Sequence, residues 1–135
     1  MAVAGLIGGG AWAGTLAAIT AAVGLVLMIA GAGLLGRGLM DLGRNLTPVP
    51  HPRDDSRLVV SGVYALVRHP IYGGLMATAV GWALVAASPL ALLLSALLVG
   101  FFELKSRREE VWLCERYAGY PAYAADTKRF FPRVY

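Results

Sequence analysis

Two uncharged stretches, residues 1–36 and 69–102, constrain this chain more than any other feature; the second is interrupted only by the titratable ring of His69. Each exceeds the roughly 20 apolar residues that cross about 30 Å of hydrocarbon as a helix. The rest of the composition agrees: 58% of residues are hydrophobic, 15% are charged and the mean hydropathy is +0.64. A soluble domain carries roughly a quarter charged residues. A water-soluble single domain, a disordered chain and a disulfide-rich scaffold are therefore excluded. The expectation is an all-α integral membrane protein, a single membrane domain over residues 1–135.

The first stretch as one helix would be about 54 Å long, too long for one ordinary crossing and too short for two. Gly8-Gly9-Gly10 weakens a helix, so the first crossing is placed at 14–40, with residues 1–10 as a frayed or interfacial lead-in. Gly10 and Gly14, and the run Gly31 to Gly36, offer small-residue surface to another helix. Residues 41–70 form a loop on the charged side. Thr47-Pro48-Val49-Pro50-His51-Pro52 cannot continue a helix, and Leu58-Val59-Val60 has the β-branched character of an extended segment. The second stretch, 71–102, breaks at Ser88-Pro89, a serine N-cap followed by proline at the first helical position. It reads as a helical hairpin, 71–87 and 89–102. Beyond it, residues 103–135 form a cytosolic helix and tail. Glu103/Arg107 and Lys105/Glu109 are opposite charges at i,i+4, which carries the helix to about Tyr117, before Gly119-Tyr120-Pro121. The aromatic and basic tail suits the headgroup interface.

All twelve Lys and Arg lie between Arg37 and Arg68 or after Phe102, mixed with the eight acids. Three crossings put every charge in one compartment, the cytoplasm by the excess of basic residues. That mixture also argues against a nucleic-acid partner, despite a formal charge of +4, because such a footprint is an unmixed basic stripe. Cys114 is the only cysteine, so no internal disulfide is available. No basic residue precedes the first apolar stretch, so it is read as a retained helix rather than a secretory signal.

Two clusters exceed what membrane insertion requires. Tyr64, Arg68, His69 and Tyr72 crowd the mouth of the hairpin, and Glu109-Glu110, flanked by Arg107 and Arg108, lie on the emerging helix. Taken singly, Arg68-His69 reads as a topology signal and snorkelling anchor, the glutamates as a solvated face, the tyrosines as interfacial aromatics, His51 as inert and Cys114 as apolar filler. No spacing suggests a metal site, a phosphate loop or a dinucleotide fingerprint.

Taken together, the string Leu58-Val59-x-Ser61-Gly62-x-Tyr64-x-x-Val67-Arg68-His69-Pro70-x-Tyr72-x-Gly74 resembles the signature of the isoprenylcysteine carboxyl methyltransferases, which are related to membrane phospholipid methyltransferases. The resemblance continues through Gly81, Ser88-Pro89, Glu109-Glu110-x-x-Leu113, Tyr117 and Gly119-Tyr120-x-x-Tyr123 to Phe131-Pro132, covering about residues 36–133. It implies S-adenosylmethionine-dependent methyl transfer to a lipid-like or prenyl-cysteine-like amphiphile. It further implies cofactor contact by Leu58, Val59, Tyr64, His69, Tyr72, Glu109 and Glu110; the charge of Arg68, or of a tail arginine such as Arg129, suits orienting a carboxylate acceptor. These residue types suit that cofactor. Carboxylates accept from its ammonium and ribose diol, histidine and backbone N–H groups meet its carboxylate, and tyrosine faces attract the sulfonium or stack on adenine.

An ionised carboxylate acceptor needs only orientation and exclusion of water, whereas an amine must lose a proton to a base such as a partly buried glutamate. The acceptor's apolar portion would enter from the bilayer, between the first helix and the hairpin. The chain departs from larger family members in lacking their additional N-terminal helices, a wall that a homodimer would supply. Two rivals stand beside this reading: a nicotinamide-dependent membrane reductase, and a non-enzymatic scaffold or transporter subunit.

Overall fold

The computed structural model describes residues 14–43 and 58–135. Within them lie four α-helices, α1 (Gly14–Leu42), α2 (Pro70–Val85), α3 (Pro89–Arg116) and α4 (Tyr120–Asp126), with a 3₁₀ turn at Gly62–Ala65. No strand occurs among the described residues, and Leu58-Val59-Val60, expected to be extended, pairs with nothing as a strand. The glycine-rich lead-in, the Gly10–Gly14 pair and the proline-rich loop with His51 lie wholly or partly outside the described residues.

Helix α1 matches the first expected crossing, two residues longer at its end. The hairpin is α2 and α3, and the break falls where Ser88-Pro89 places it. Ser88 is buried and its Oγ accepts the Ala91 N–H at 3.2 Å, while Ala87 turns the chain at a φ of 50°. Because residues 86–88 form this turn, α2 keeps only 16 residues, about 24 Å of helix. Helices α1 and α3 are long and apolar enough to cross a membrane; α2 is apolar but shorter. Of the about three expected crossings, two are helices of spanning length and composition among the described residues and the third is the shorter apolar α2. The uncharged part of α3 ends at Phe102, and Glu103–Arg116 continues the same helix as a charged segment.

The chain divides into two compact units. Among the described residues, the first comprises 14–33 together with Gly74–Gly100. It is held by close backbone approach: a Cβ placed on Gly24 would lie 2.5 Å from the Gly81 carbonyl oxygen, and one on Gly81 equally close to that of Gly24. At Gly31 an added Cβ would meet the Gly74 carbonyl oxygen at 2.8 Å. Gly33 and Gly36 have open space beside them, so only Gly31 of that run makes the expected close packing. Leu16, Ile19, Val23, Val26 and Ile29 of α1 are exposed, as side chains facing hydrocarbon would be.

The second unit comprises Leu34–Gly73 and Phe101–Tyr135. Val63, Tyr64 and Val67 form its buried cluster, with Leu34, Leu42 and Val59 against them. Asp41 accepts the Val63 N–H at 2.8 Å and pairs with Arg37 at 3.1 Å. The tail departs from the expected interfacial strip. Tyr120 and Phe130 are buried, and the tail is stitched to the segment before α2 by Arg68 N–H to Lys128 and His69 N–H to Arg129 carbonyls, each at 2.8 Å. A lone parallel bridge joins Val67 and Lys128. Backbone groups left bare at this depth are costly, and the tail satisfies them.

Candidate active site

All the polar chemistry discussed below lies within the second unit. Pro70 opens α2, a position where a missing N–H costs nothing, and this fixes His69 just ahead of the helix, its carbonyl accepting the Gly73 N–H at 3.0 Å. Tyr72 follows one turn on, and its ring stacks on His69 with centroids 5.5 Å apart and on Phe102 of α3 at 4.7 Å. Glu109 and Glu110 are successive on α3, about 100° apart around the helix axis, so they present carboxylates to different partners.

Glu110 is the hub. Its Oε1 accepts Arg68 Nε at 2.8 Å and His69 Nε2 at 3.0 Å, and its Oε2 accepts Arg129 Nη2 at 3.1 Å. Of the two ring nitrogens only Nε2 is within hydrogen-bond reach of a carboxylate, since Nδ1 stands 3.8 Å from Glu109. Burial alone would raise the Glu110 pKa, but the hydrogen bonds from His69, Arg68 and Arg129 outweigh it and lower it to about 2. Burial disfavours the Arg129 cation, but Glu110 and its neighbours reverse this and push the Arg129 pKa upward. Glu109 accepts from Lys105 Nζ at 2.9 Å and from the Tyr72 hydroxyl, and Lys105 also donates to that hydroxyl.

The structure therefore brings together Arg68, His69, Tyr72, Glu109, Glu110 and Arg129. The glutamates, whose simplest sequence reading is a solvated face, are only 13% and 16% exposed. Leu58, Val59 and Tyr64 serve elsewhere: Val59 packs on the Val63 cluster, Leu58 is half-buried, and the Tyr64 hydroxyl donates to the Gly38 carbonyl at 3.3 Å. Arg68 does more than meet Glu110. Its Nη1 donates to the carbonyls of Ala124, at 2.8 Å, and Thr127, tying α4 and the tail to the cluster.

Several participants escape the sequence reading. Lys105 and Glu103 were legible as i,i+4 partners, and both pairs form, at 2.9 and 2.7 Å. Their second contacts were not: Glu103 also takes Arg129 Nη1 and the Tyr135 hydroxyl, each at 2.8 Å. The seven-residue interval between Glu103 and Glu110, two helical turns, is the signal that puts both on one side of α3. Tyr123, whose hydroxyl donates to the Tyr64 carbonyl, had only the family-like spacing behind it. An open depression of about 490 Å³ lies beside the hub, lined by Arg107, Glu110, Val111, Cys114, Glu115 and Arg129. Among the described residues, two buried side-chain polar atoms lack a hydrogen-bond partner, Arg129 Nε and the Tyr120 hydroxyl.

Residues 19–119 match the family described as Phospholipid methyltransferase. Two rice proteins, from the indica and japonica subspecies of Oryza sativa, are each 34% identical over 116 residues and carry the name "Probable protein-S-isoprenylcysteine O-methyltransferase". The match takes in 83% of this chain and 61% of theirs, so the chain spans about three fifths of their length. A solved eukaryotic intramembrane Ras methyltransferase, isoprenylcysteine carboxyl methyltransferase, superposes with a TM-score of 0.74 at 26% identity. That likeness covers 86% of this chain and 43% of the solved one. The resemblance drawn from residues 36–133 is borne out.

Proposed function

This chain belongs to the phospholipid methyltransferase family, and from that footing we propose that it transfers a methyl group from S-adenosylmethionine to an amphiphilic acceptor at the cytosolic face of a membrane. The observation that carries the reading is the convergence of His69, Arg68 and Arg129 on Glu110, with Tyr72 on the neighbouring Glu109. The chain is a membrane protein, with two helices of spanning length and composition. In the proposed arrangement α1, α2 and α3 all cross, as one functional domain, and the charged end of α3 and the tail face the cytoplasm.

The donor set fits the cofactor. Glu109 and Glu110 supply acceptors for an ammonium and a diol, Tyr72 supplies an aromatic face, and His69 a ring donor. The buried Arg129 Nε–H, without an acceptor among the described residues, is left for the carboxylate of the methyl acceptor rather than for the cofactor. When bound, S-adenosylmethionine supplies an electrophilic methyl group. His69, Tyr72, Glu109 and Glu110 are assigned to hold it. Leu58, Val59 and Tyr64 would act through the backbone and packing of the 58–64 segment.

The names of the rice relatives favour an oxygen acceptor, the carboxylate of a prenyl-cysteine-like amphiphile. The charge state of Glu110 agrees. A carboxyl whose pKa is lowered to about 2 is a feeble base near neutrality, ill suited to deprotonating an amine. A carboxylate acceptor needs orientation instead, and Arg129 has a free donor for it. Arg68, with Nε and Nη1 committed, is better placed to position Glu110 and the tail. The apolar part of the acceptor would lie in the bilayer against α1 and the hairpin, with a second copy of the chain completing the wall. Neither the reductase nor the scaffold reading finds support in the likenesses.

The test is calorimetric titration of the detergent-solubilised chain with S-adenosylhomocysteine. Glu110→Ala and His69→Ala should each weaken binding at least tenfold while the protein stays folded. Affinity unchanged in both variants would overturn the proposal.

A further inference from the structure

Lys105 occupies an unusual position for a lysine at the end of an apolar helix segment. Its Nζ lies 4.3 Å from the centre of the Tyr72 ring while bonded to Glu109 and to the Tyr72 hydroxyl. It stands at the hydroxyl edge of that ring rather than over a face, and the ring is itself fixed by stacking on His69 and Phe102. A carboxylate beside a fixed phenol oxygen is the chemistry that holds an ammonium group through charge-assisted hydrogen bonds. Here that combination holds a cation belonging to the chain. The occupant is also able to leave: its side chain is 20% exposed and sits on a flexible four-carbon stem, unlike the forked, multiply bonded Arg68.

We infer that the Tyr72–Glu109 pair is the onium-binding subsite of the cofactor site, and that Lys105 is its resident competitor, displaced when a ligand's ammonium or sulfonium enters. The inference rests on the function proposed above and adds to it a residue that sets affinity. The tethered ammonium competes at high local concentration, so apparent affinity falls by the fraction of molecules in which the subsite is clear. It also keeps Glu109 from standing as a buried unpaired carboxylate, which would be costly. A purely structural Lys105 predicts the reverse, since removing it would leave Glu109 poorly held and binding weaker.

Calorimetry on Lys105→Met and Lys105→Gln, with S-adenosylmethionine and S-adenosylhomocysteine as probes, separates these. Removal of the competitor should tighten binding roughly tenfold or more, the scale of one hydrogen bond to a charged group. A gain for both ligands assigns the subsite to the ammonium they share; a gain for S-adenosylmethionine alone assigns it to the sulfonium. Weakened or unchanged binding of both overturns the inference. The wild-type chain gives a second reading that needs no variant. Saturation with S-adenosylhomocysteine should raise the labelling of Lys105 by an amine-acylating reagent, read by mass spectrometry. Bound ligand with labelling flat or reduced overturns the displacement alone, whereas a wild-type chain that binds neither ligand removes the underlying function as well.

Discussion

Arg68 Nε stands 2.8 Å from Glu110 Oε1 although 42 residues separate them in sequence, and the same guanidinium reaches the carbonyls of Ala124 and Thr127. One side chain thus joins the turn before α2, the charged end of α3 and the tail after α4. It is 11% exposed, so its loss strips Glu110 of one of three donors, and the Ala124 and Thr127 carbonyls of theirs, in a setting that water reaches poorly. Arg68→Met is expected to cost on the order of 3 kcal/mol. Trypsin should then cut the tail near Lys128 faster than in the wild type. Arg68→Lys should recover only part of the loss, because a point charge cannot serve a carboxylate and two carbonyls at once. Thermal unfolding in detergent with timed proteolysis checks this; a tail equally resistant in Arg68→Met would refute the tie.

The acid side of the stability profile should carry the mark of Glu110. Its ordinary carboxyl pKa of 4.5 is lowered to about 2 in the folded chain. A depressed folded pKa stabilises the protein above the unfolded value, and the benefit is lost as pH falls from about 4.5 toward 2. Glu103 is lowered as well, burial being outweighed by Arg107 and Tyr135, and adds in the same direction. The midpoint of thermal unfolding should therefore drop steeply over that window, by the equivalent of about 3 kcal/mol for Glu110. Glu110→Gln should start lower and fall less. Parallel profiles for the two proteins would show that Glu110 carries no such linkage.

Much of this arrangement was legible in the residues. Charge-free runs fix the apolar helices because hydrocarbon leaves the backbone no other partner, and Ser88-Pro89 marks the hairpin break through its own capping chemistry. The pairs Glu103/Arg107 and Lys105/Glu109 follow from helical spacing alone. What spacing could not supply was the third dimension. Nothing in the order of residues says that Tyr135 folds back to Glu103, or that Arg129 bridges Glu103 and Glu110. Such contacts depend on the path of the tail, which is set by backbone bonds to residues 66–69 rather than by a periodic pattern. The shortness of α2 was hidden for a related reason, since residues 86 and 87 are apolar enough for a helix but are used by the turn.

The tail's attachment offers a more delicate test. The Tyr123 hydroxyl donates to the Tyr64 carbonyl, and burial, partly offset by Arg68, pushes its pKa up to about 12, so it remains a donor throughout the physiological range. Tyr123→Phe should keep the ring's packing and lose about 1 kcal/mol, with faster amide exchange at Lys128, Arg129 and neighbouring tail residues. Unchanged exchange there would mean that the backbone bonds alone secure the tail.

Within the first unit, Gly24 and Gly81 decide how closely two backbones meet. A methyl group at Gly81 would lie 2.5 Å from the Gly24 carbonyl oxygen, 2.8 Å from Met28 Cγ and 2.9 Å from the Met28 nitrogen. Two of those atoms are backbone, so no rotamer change relieves the clash and the helices must separate. Separation forfeits dispersion contacts, the main attraction between helices where lipid is as apolar as the side chains. Gly81→Ala is accordingly expected to cost about 1–3 kcal/mol, the range for overpacking a tight interior. Gly33→Ala is the matched control: nothing lies within 4 Å of its added carbon, and alanine is the better helix former by about 1 kcal/mol. It should leave stability unchanged or raise it. Unfolding of both variants by SDS titration from mild detergent gives the comparison. If they lose equal stability, backbone proximity at Gly81 is not what holds this unit together.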